Sequence, residues 1–319
     1  MNLIQFINDD GKRSVGAVIN EKINPLTRVI STYELFHFAE ENMLTLKKAA
    51  EALLSNSLID YEPLLKNKRL LTPLDHPDPY HVWVTGTGLT HSGSAASRNK
   101  MHETIQQGGN LTDSMKMFLM GEENGKMIND IPASQPEWFY KGNGLTLVAP
   151  EQDILQPSFA MDGGEEPEIA GLYIINRNSM PVRIGFALGN EFSDHVMEKI
   201  NYLYLAHSKL RQSSFGPELF IEELPLNIKG ESRIVRNNEI TWRKEFLTGE
   251  NNMSHNFANL EYHHFKYDMF RQPGDVHVHY FGTSALSFLD NVKTQHGDHF
   301  EISAPPFGKP LRNRLAAAK

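Results

Sequence analysis

The chain of 319 residues carries 31 basic and 39 acidic side chains, a net charge of −8, which disfavours a polyanion-binding role. Hydrophobic residues make up 40% and charged residues 22%, which excludes wholesale disorder and leaves enough apolar surface for a full core. Cysteine is absent, so disulfide scaffolds, cysteine zinc sites, iron–sulfur clusters and a cysteine nucleophile are excluded.

The start, Met1 to Asp10, has a short apolar patch followed by acids rather than a cationic leader, and no stretch approaches the ~20 apolar residues that span a bilayer. The expectation is a soluble, cytoplasmic protein with no nucleic-acid or membrane partner. Leu3–Ile7 and Val15–Ile19 read as strands around an Asp9-Asp10-Gly11 turn. Ser31-x-x-Glu34 is a capping-box signature that opens a helix running towards Asn56, with Leu46, Ala49, Ala50, Leu53 and Leu54 at helical spacing. Leu64–Pro79 reads as a linker. These features predict a small N-terminal α/β domain over 1–75 and a second domain over 76–319.

The second part is richer in strands. Val82–Thr87, Leu145–Val148, Ile169–Ile175, Val182–Leu188, Ile221–Leu226, Glu239–Phe246, Val276–Phe281 and Phe300–Ala304 are candidates, with helices over Asp194–His207 and Asn256–Met269. The mixture predicts a β-dominated α+β fold. Gly86-x-Gly88-x4-Gly93 has the wrong spacing for a dinucleotide fingerprint, and Gly121-x3-Gly125-Lys126-Met127 is too short for a phosphate loop. His263-His264 and His277-x-His279 lack a clean third ligand and read as ordinary polar-face residues of a helix and a strand.

Glu166 and Glu168 stand two apart on a predicted strand and so face one side, about 7 Å apart along the backbone. Asn176–Pro181 is a turn between two apolar runs. A hairpin centred near residue 179 sets residue 167 opposite residue 191 and brings Glu191 to the Glu166/Glu168 pair. Two carboxylates at 4 Å repel by about 4 kcal/mol at an effective dielectric near 20, so such a cluster holds either protons or a cation. An all-carboxylate set suits Mg²⁺, Mn²⁺ or Ca²⁺ rather than zinc. The competing reading is that one or more of the three is a solvated strand-edge glutamate.

This stretch resembles the fumarylacetoacetate hydrolase superfamily, whose members carry Glu-x-Glu on one strand and Asn-Asp after the next as a divalent-metal site. Here the pattern is Glu166-Pro167-Glu168 and Asn190-Glu191, the last one carbon longer than the usual Asp. The resemblance continues in order over roughly residues 80–315, through Lys209 before Ser214-Phe-Gly-Pro217, Pro273-Gly-Asp275, Phe281-Gly-Thr-Ser284, Gly297-Asp298 and Phe307-Gly308. Where the family's hydrolases place the His of a water-activating His/Glu pair, this chain has Ser94. Thr90-His91-x-x-Ser94-x3-Arg98 and Pro136-Glu137-x-Phe139-Tyr140-Lys141 are instead similar to the branch of 2-keto-3-deoxy sugar acid dehydratases, with His91 in place of that branch's Tyr.

The resemblance implies a mixed, twisted β-roll with a small N-terminal domain, and a homodimer or homotetramer. It implies dehydration of a 2-keto-3-deoxy sugar acid, a small 2-keto acid such as 2-keto-3-deoxyarabonate, to 2,5-dioxopentanoate through a metal-stabilised enolate. Glu166, Glu168 and Glu191 would hold Mg²⁺ (or Mn²⁺). Lys209 would serve as acid/base or enolate stabiliser, its pKa lowered by burial beside a cation. Glu137 would shuttle the proton, Ser94 and Arg98 would orient the substrate, and Thr283 with the neighbouring Gly282 N–H would hold the substrate carboxylate. His91 and Lys141 would complete the substrate pocket. The rival readings are C–C hydrolysis of an acylpyruvate or fumarylacetoacetate-like diketone, decarboxylation of an oxaloacetate-like acid, and a non-catalytic sugar-acid binding protein.

Overall fold

The computed structural model describes residues 1–91 and 113–318, so Ser94 and Arg98 lie outside the described residues. β1 (Asn2–Ile7) and β2 (Arg13–Ile19) form the expected hairpin, extended by β3 (Lys22–Pro25). Ser31 caps α1 (Thr32–Glu41) by accepting from Glu34 N at 3.1 Å, while Glu34 Oε2 accepts from Ile30 N at 2.9 Å. The helix expected to continue to Asn56 is broken. Met43 takes a positive φ of 53°, and Thr45 caps a separate α2 (Leu46–Leu53). A second cap inside an apolar periodic run starts a new helix, because its hydroxyl satisfies an amide that the continuous helix would bond internally.

β4 (Ile59–Asp60) and α3 (Tyr61–Lys66) follow. The Leu64–Pro79 stretch is not a free linker: Leu64, Leu70 and Leu74 are buried, and its backbone bonds to β1 through Ile7 N to Arg69 O and Leu71 N to Gln5 O, both 2.9 Å. β5 (Val82–Gly88), α4 (Asp113–Asn124), β6 (Glu137–Asn143), β7 (Leu147–Val148) and β8 (Asp153–Gln156) lead to the central hairpin of β9 (Pro167–Ile175) and β10 (Pro181–Asn190). The predicted helix over Asp194–His207 is three pieces: α5 (His195–Ile200), a 3₁₀ turn (Tyr202–Tyr204) and α6 (Leu205–Lys209). Asn201, in extended conformation, divides them and caps the 3₁₀ turn.

The remaining strands are β11 (Ser213–Phe215), β12 (Leu219–Phe220), β13 (Ile228–Arg236), β14 (Glu239–Thr248), β15 (Val276–Tyr280), β16 (His299–Ser303) and β17 (Leu311–Ala317). Ile221–Leu226, expected as a strand, falls outside β12. β13 escaped the pattern because two of its inward positions are Gly230 and Ser232, which hide the apolar alternation. α7 (Phe257–Phe265) ends before the predicted Met269, which lies in a separate 3₁₀ turn.

One sheet of 12 strands runs β4-β3-β2-β1-β12-β10-β9-β15-β5-β6, with β11 paired to β10 and β7 paired to β11; a five-stranded sheet runs β14-β13-β16-β17-β8. The expected β-dominated α+β class is the one observed. The N-terminal strands are continuous with the large sheet through β1 and β12. β9 is buried along its whole length. Ala170, Leu172 and Ile174 join the apolar cluster that includes α1 and α2, while Ile169, Tyr173 and Ile175 join the cluster that includes α7.

The hairpin register differs by one from the expectation: Asn190, not Glu191, opposes Pro167. The pairs next to the turn are centred on residue 178 rather than 179, and a bulge between Arg183 and Gly185 recovers half a residue, so that the pairs beyond it are centred between 178 and 179. Gly185 is required there, because a Cβ would stand 2.3 Å from Phe220 O.

The histidines read as polar-face residues are buried. His264, His277 and His279 are at most 1% exposed, packed among Phe265, Phe270, Trp83 and Trp138. A sheet covered on both faces leaves a strand no solvated side, so alternation does not mark exposure here.

Candidate metal centre

Glu166 immediately precedes β9, Glu168 is its second residue, and Glu191 immediately follows β10. The hairpin joins them directly, with Glu191 N donating to Glu166 O at 3.0 Å. One carboxylate oxygen from each lies within 4.8 Å of the others, and all three residues are buried. The bulge is what allows this. Without its extra residue the turn-side register would continue and set Glu191 opposite Glu165 rather than Glu166.

β6 forms a second wall. Glu137, Phe139 and Lys141 alternate inward from it. Lys141 Nζ lies 2.5 Å from Glu191 Oε1 and donates to Phe192 O (2.6 Å) and Lys209 O (3.1 Å), so all three ammonium protons meet protein acceptors. Lys209, buried at the end of α6, bonds Glu166 Oε1 and, at 2.5 Å, Glu191 Oε2, with its ammonium 4.9 Å from the centre of the Phe139 ring. Glu137 is buried and accepts from Tyr202 Oη at 3.1 Å.

The loop after β15 closes the site. Gly282 N donates to Glu168 Oε2 at 2.7 Å, so this amide orients a carboxylate of the cluster. Its φ is +92°, and a Cβ would meet Thr90 Oγ1 at 2.2 Å, so only glycine serves there. Thr283 lies beside it, half-buried, its Oγ1 accepting from Ala285 N at 3.2 Å. His91 is buried and bonded to Thr248 Oγ1 (2.9 Å) and Thr90 Oγ1 (3.0 Å); burial lowers its pKa to about 4, so it is a neutral ring.

The structure adds residues that sequence spacing did not find. His195 Nε2 lies 3.2 Å from Glu166 Oε1 and its Nδ1 3.4 Å from Asp162 Oδ2. Glu165 is fully buried and receives Ser287 N (2.8 Å) and Ser287 Oγ (2.7 Å). His195 lies four residues after Glu191, but nothing in that interval marks it, because Asp162 and Glu166 reach it from the other side of the hairpin.

The charges balance within the cluster. Burial would raise the Glu166 pKa, but Lys209 and His195 hold its carboxyl well below the ordinary range. Burial, then repulsion from Glu191 and Glu166, push Glu168 well above it. Burial and Glu166 also raise Glu191, against the pull of Lys141 and Lys209. Burial lowers Lys141 more than Glu191 raises it. For Lys209 the expected lowering is reversed: burial opposes its charge, but Glu166 and Glu191 on two sides raise its pKa. Burial likewise opposes the His195 charge, yet Asp162 and Glu166 raise it to about 10.

Among the described residues no donor meets Glu166 Oε2 or Glu168 Oε1, while Glu166 Oε1 and both Glu191 oxygens accept from cations. The repulsion on Glu168 is the kind a divalent cation relieves, and the donor set is all oxygen. The residues present therefore fit a hard divalent ion. A β-rich scaffold with buried, converging carboxylates and lysines at the end of a central hairpin defines a class of candidate metal-dependent proteins.

No family model matches the chain, and no curated protein matches it. Solved structures do. A hexagonal crystal form of 2-keto-3-deoxyarabinonate dehydratase superposes with a TM-score of 0.74 at 19% identity, and 2-keto-3-deoxy-D-arabinonate dehydratase complexed with magnesium and 2,5-dioxopentanoate with 0.71 at 18%, each over 100% of both chains. The 5-carboxymethyl-2-hydroxymuconate delta-isomerase from Mycobacterium smegmatis gives 0.60 at 13%, again over 100% of both chains. The chain thus shares the fold of these dehydratase and isomerase structures, in keeping with the β-dominated α+β class expected from the sequence. No helix among the described residues is long and apolar enough to cross a membrane.

Proposed function

We propose that the chain is a divalent-metal-dependent enzyme that dehydrates a 2-keto-3-deoxy sugar acid, with 2-keto-3-deoxyarabonate as substrate and 2,5-dioxopentanoate as product. The observation that carries this reading is the convergence of Glu166, Glu168 and Glu191 within 4.8 Å, with the Lys209 ammonium on two of them. The likeness to a dehydratase holding magnesium and 2,5-dioxopentanoate supports it. Glu166, Glu168 and Glu191 would hold Mg²⁺ or Mn²⁺, which when bound supplies Lewis-acid polarisation of a 2-keto acid.

The protein's own groups have separate tasks. Lys209, kept protonated by its carboxylate neighbours, places a fixed positive charge where negative charge develops as C3 loses its proton. Glu137, oriented by Tyr202, takes that proton and returns one to the departing 4-hydroxyl, so that one water leaves. Tautomerisation of the dehydrated product through C4 and C5 then yields the aldehyde. Ser94, Arg98 and Thr283 orient the substrate, and His91, Lys141 and Gly282 contribute to its binding. The active form is a homodimer or homotetramer, which light scattering checks.

Purified protein with Mg²⁺ should release a semicarbazide-reactive aldehyde from a 2-keto-3-deoxypentonate, and chelation should abolish the release. Faster cleavage of an acylpyruvate would replace this reading with the hydrolase one. Tight binding of the sugar acid without turnover would replace it with a binding protein.

A further inference from the structure

We propose that His195, steered by Asp162, is a positioning residue that fixes which oxygen of Glu166 faces Glu168 and Glu191. The inference rests on the metal-site reading above. His195 is 1% exposed, and both of its ring nitrogens face carboxylates, Nδ1 at 3.4 Å from Asp162 Oδ2 and Nε2 at 3.2 Å from Glu166 Oε1. Lys209 Nζ bonds the same Oε1. Two donors on one oxygen hold the carboxylate in a single rotation and leave Oε2 with no protein donor among the described residues. Lys209 alone could not do this, because a flexible ammonium that also serves Glu191 defines a point of charge rather than a plane.

The neighbours confine the ring. Gly164 passes so close that a Cβ there would stand 2.6 Å from His195 Nδ1. Phe288 stacks on the ring, centroids 5.3 Å apart with 26° between planes. The turn that carries Phe288 is tied down by the two bonds from Ser287 to Glu165. Asp194 caps α5 through Met197 N (3.0 Å) and also accepts from Met161 N (2.9 Å) and Arg211 Nη2 (2.9 Å). That joint fixes the backbone beside Asp162 to the helix that begins at His195. A histidine present only to fill space would need neither the glycine nor a carboxylate on its far nitrogen.

The test is Mn²⁺ binding by the full-length protein, read by electron paramagnetic resonance, with thermal stability measured in parallel on the same samples. His195→Gln should weaken Mn²⁺ binding about 10- to 100-fold, the usual range for partners that orient ligands. Asp162→Asn should weaken it by a smaller factor without unfolding the protein. The double variant should match His195→Gln, because Asp162 acts through the ring. Wild-type affinity in a folded His195→Gln, or in Asp162→Asn should the first variant not fold, would overturn the proposal. So would additive losses. A wild-type protein that binds no Mn²⁺ would instead remove the metal reading, and the inference with it.

Discussion

Two buried polar clusters lie on opposite faces of the same central strands, and they solve burial differently. On one face are Glu166, Glu191, Lys141, Lys209 and His195, each held near an opposite charge, together with Glu168, which accepts from the Gly282 amide. On the other are His264, His277 and His279. His277 and His279 alternate along β15 with Tyr280, whose phenol is raised by burial and, more weakly, by Glu191 and Glu168. Trp138 Nε1 donates to His264 Nδ1 at 3.2 Å, so His264 Nε2 donates to His277 Nδ1 at 3.0 Å, and Thr85 Oγ1 lies 2.7 Å from His279 Nδ1. Burial lowers all three histidines, His277 and His279 to about 3; His279 and His277 lower His264 further, and His279 lowers His277. Burial alone selects the neutral form, whereas a buried charge survives only where the fold supplies its counter-charge. The charged cluster is therefore the one that the proposed function uses, and the histidine cluster is packing.

The sharpest way to break this contrast is Glu168→Gln. Burial and its neighbours already push Glu168 towards the neutral form, so the amide should leave the protein folded with Mn²⁺ binding and activity lost. Unchanged Mn²⁺ affinity would detach Glu168 from the metal site. Lys209→Met comes next. It keeps most of the stem's packing, deletes the charge, and should lower kcat by ~10²–10³. Near-normal kcat would reduce Lys209 to a structural counter-ion for Glu166 and Glu191.

The histidine face should respond to acid instead. Its folded-state pKa values lie below the unfolded value, so the unfolded chain takes up more protons between about pH 6.5 and pH 3. The stability is fully present above about pH 6.5 and is lost as pH falls through that window. At pH 5 the loss is about 2 kcal/mol per histidine. Denaturant midpoints at pH 7 and pH 5 should differ less in His279→Gln than in wild type. An equal difference would show that these rings do not titrate on unfolding. A last variant, Gly282→Ala, strains the backbone at φ +92° and sets a Cβ 2.2 Å from Thr90 Oγ1, so it should destabilise the fold and disturb the amide on Glu168. Calorimetry with and without Mn²⁺ should show a larger deficit with the ion than without it, and equal deficits would confine the effect to the backbone.

The sequence was most legible where the physics is local. The β1–β2 turn, the Ser31 cap and the β9–β10 hairpin are each set by neighbours a few residues apart. The Glu-x-Glu spacing and the turn at Asn176–Pro181 pointed to the three glutamates, because strand alternation and hairpin folding are short-range rules, although the register expected from them was one residue out. Less legible were the second cap at Thr45 and the burial of Leu70 and Leu74, since both depend on how segments pack rather than on their own pattern.

By itself, then, the sequence determined the β-dominated class, the hairpin and the identity of the converging carboxylates. Only the tertiary structure decided the bulge that sets Glu191 beside Glu166, the upward rather than downward shift of Lys209, and the placing of His195 between Asp162 and Glu166. The physical reason is range. Alternation and turn chemistry act over a few residues, but the charge state of a buried group is the sum over everything within several ångströms, whichever part of the chain supplies it.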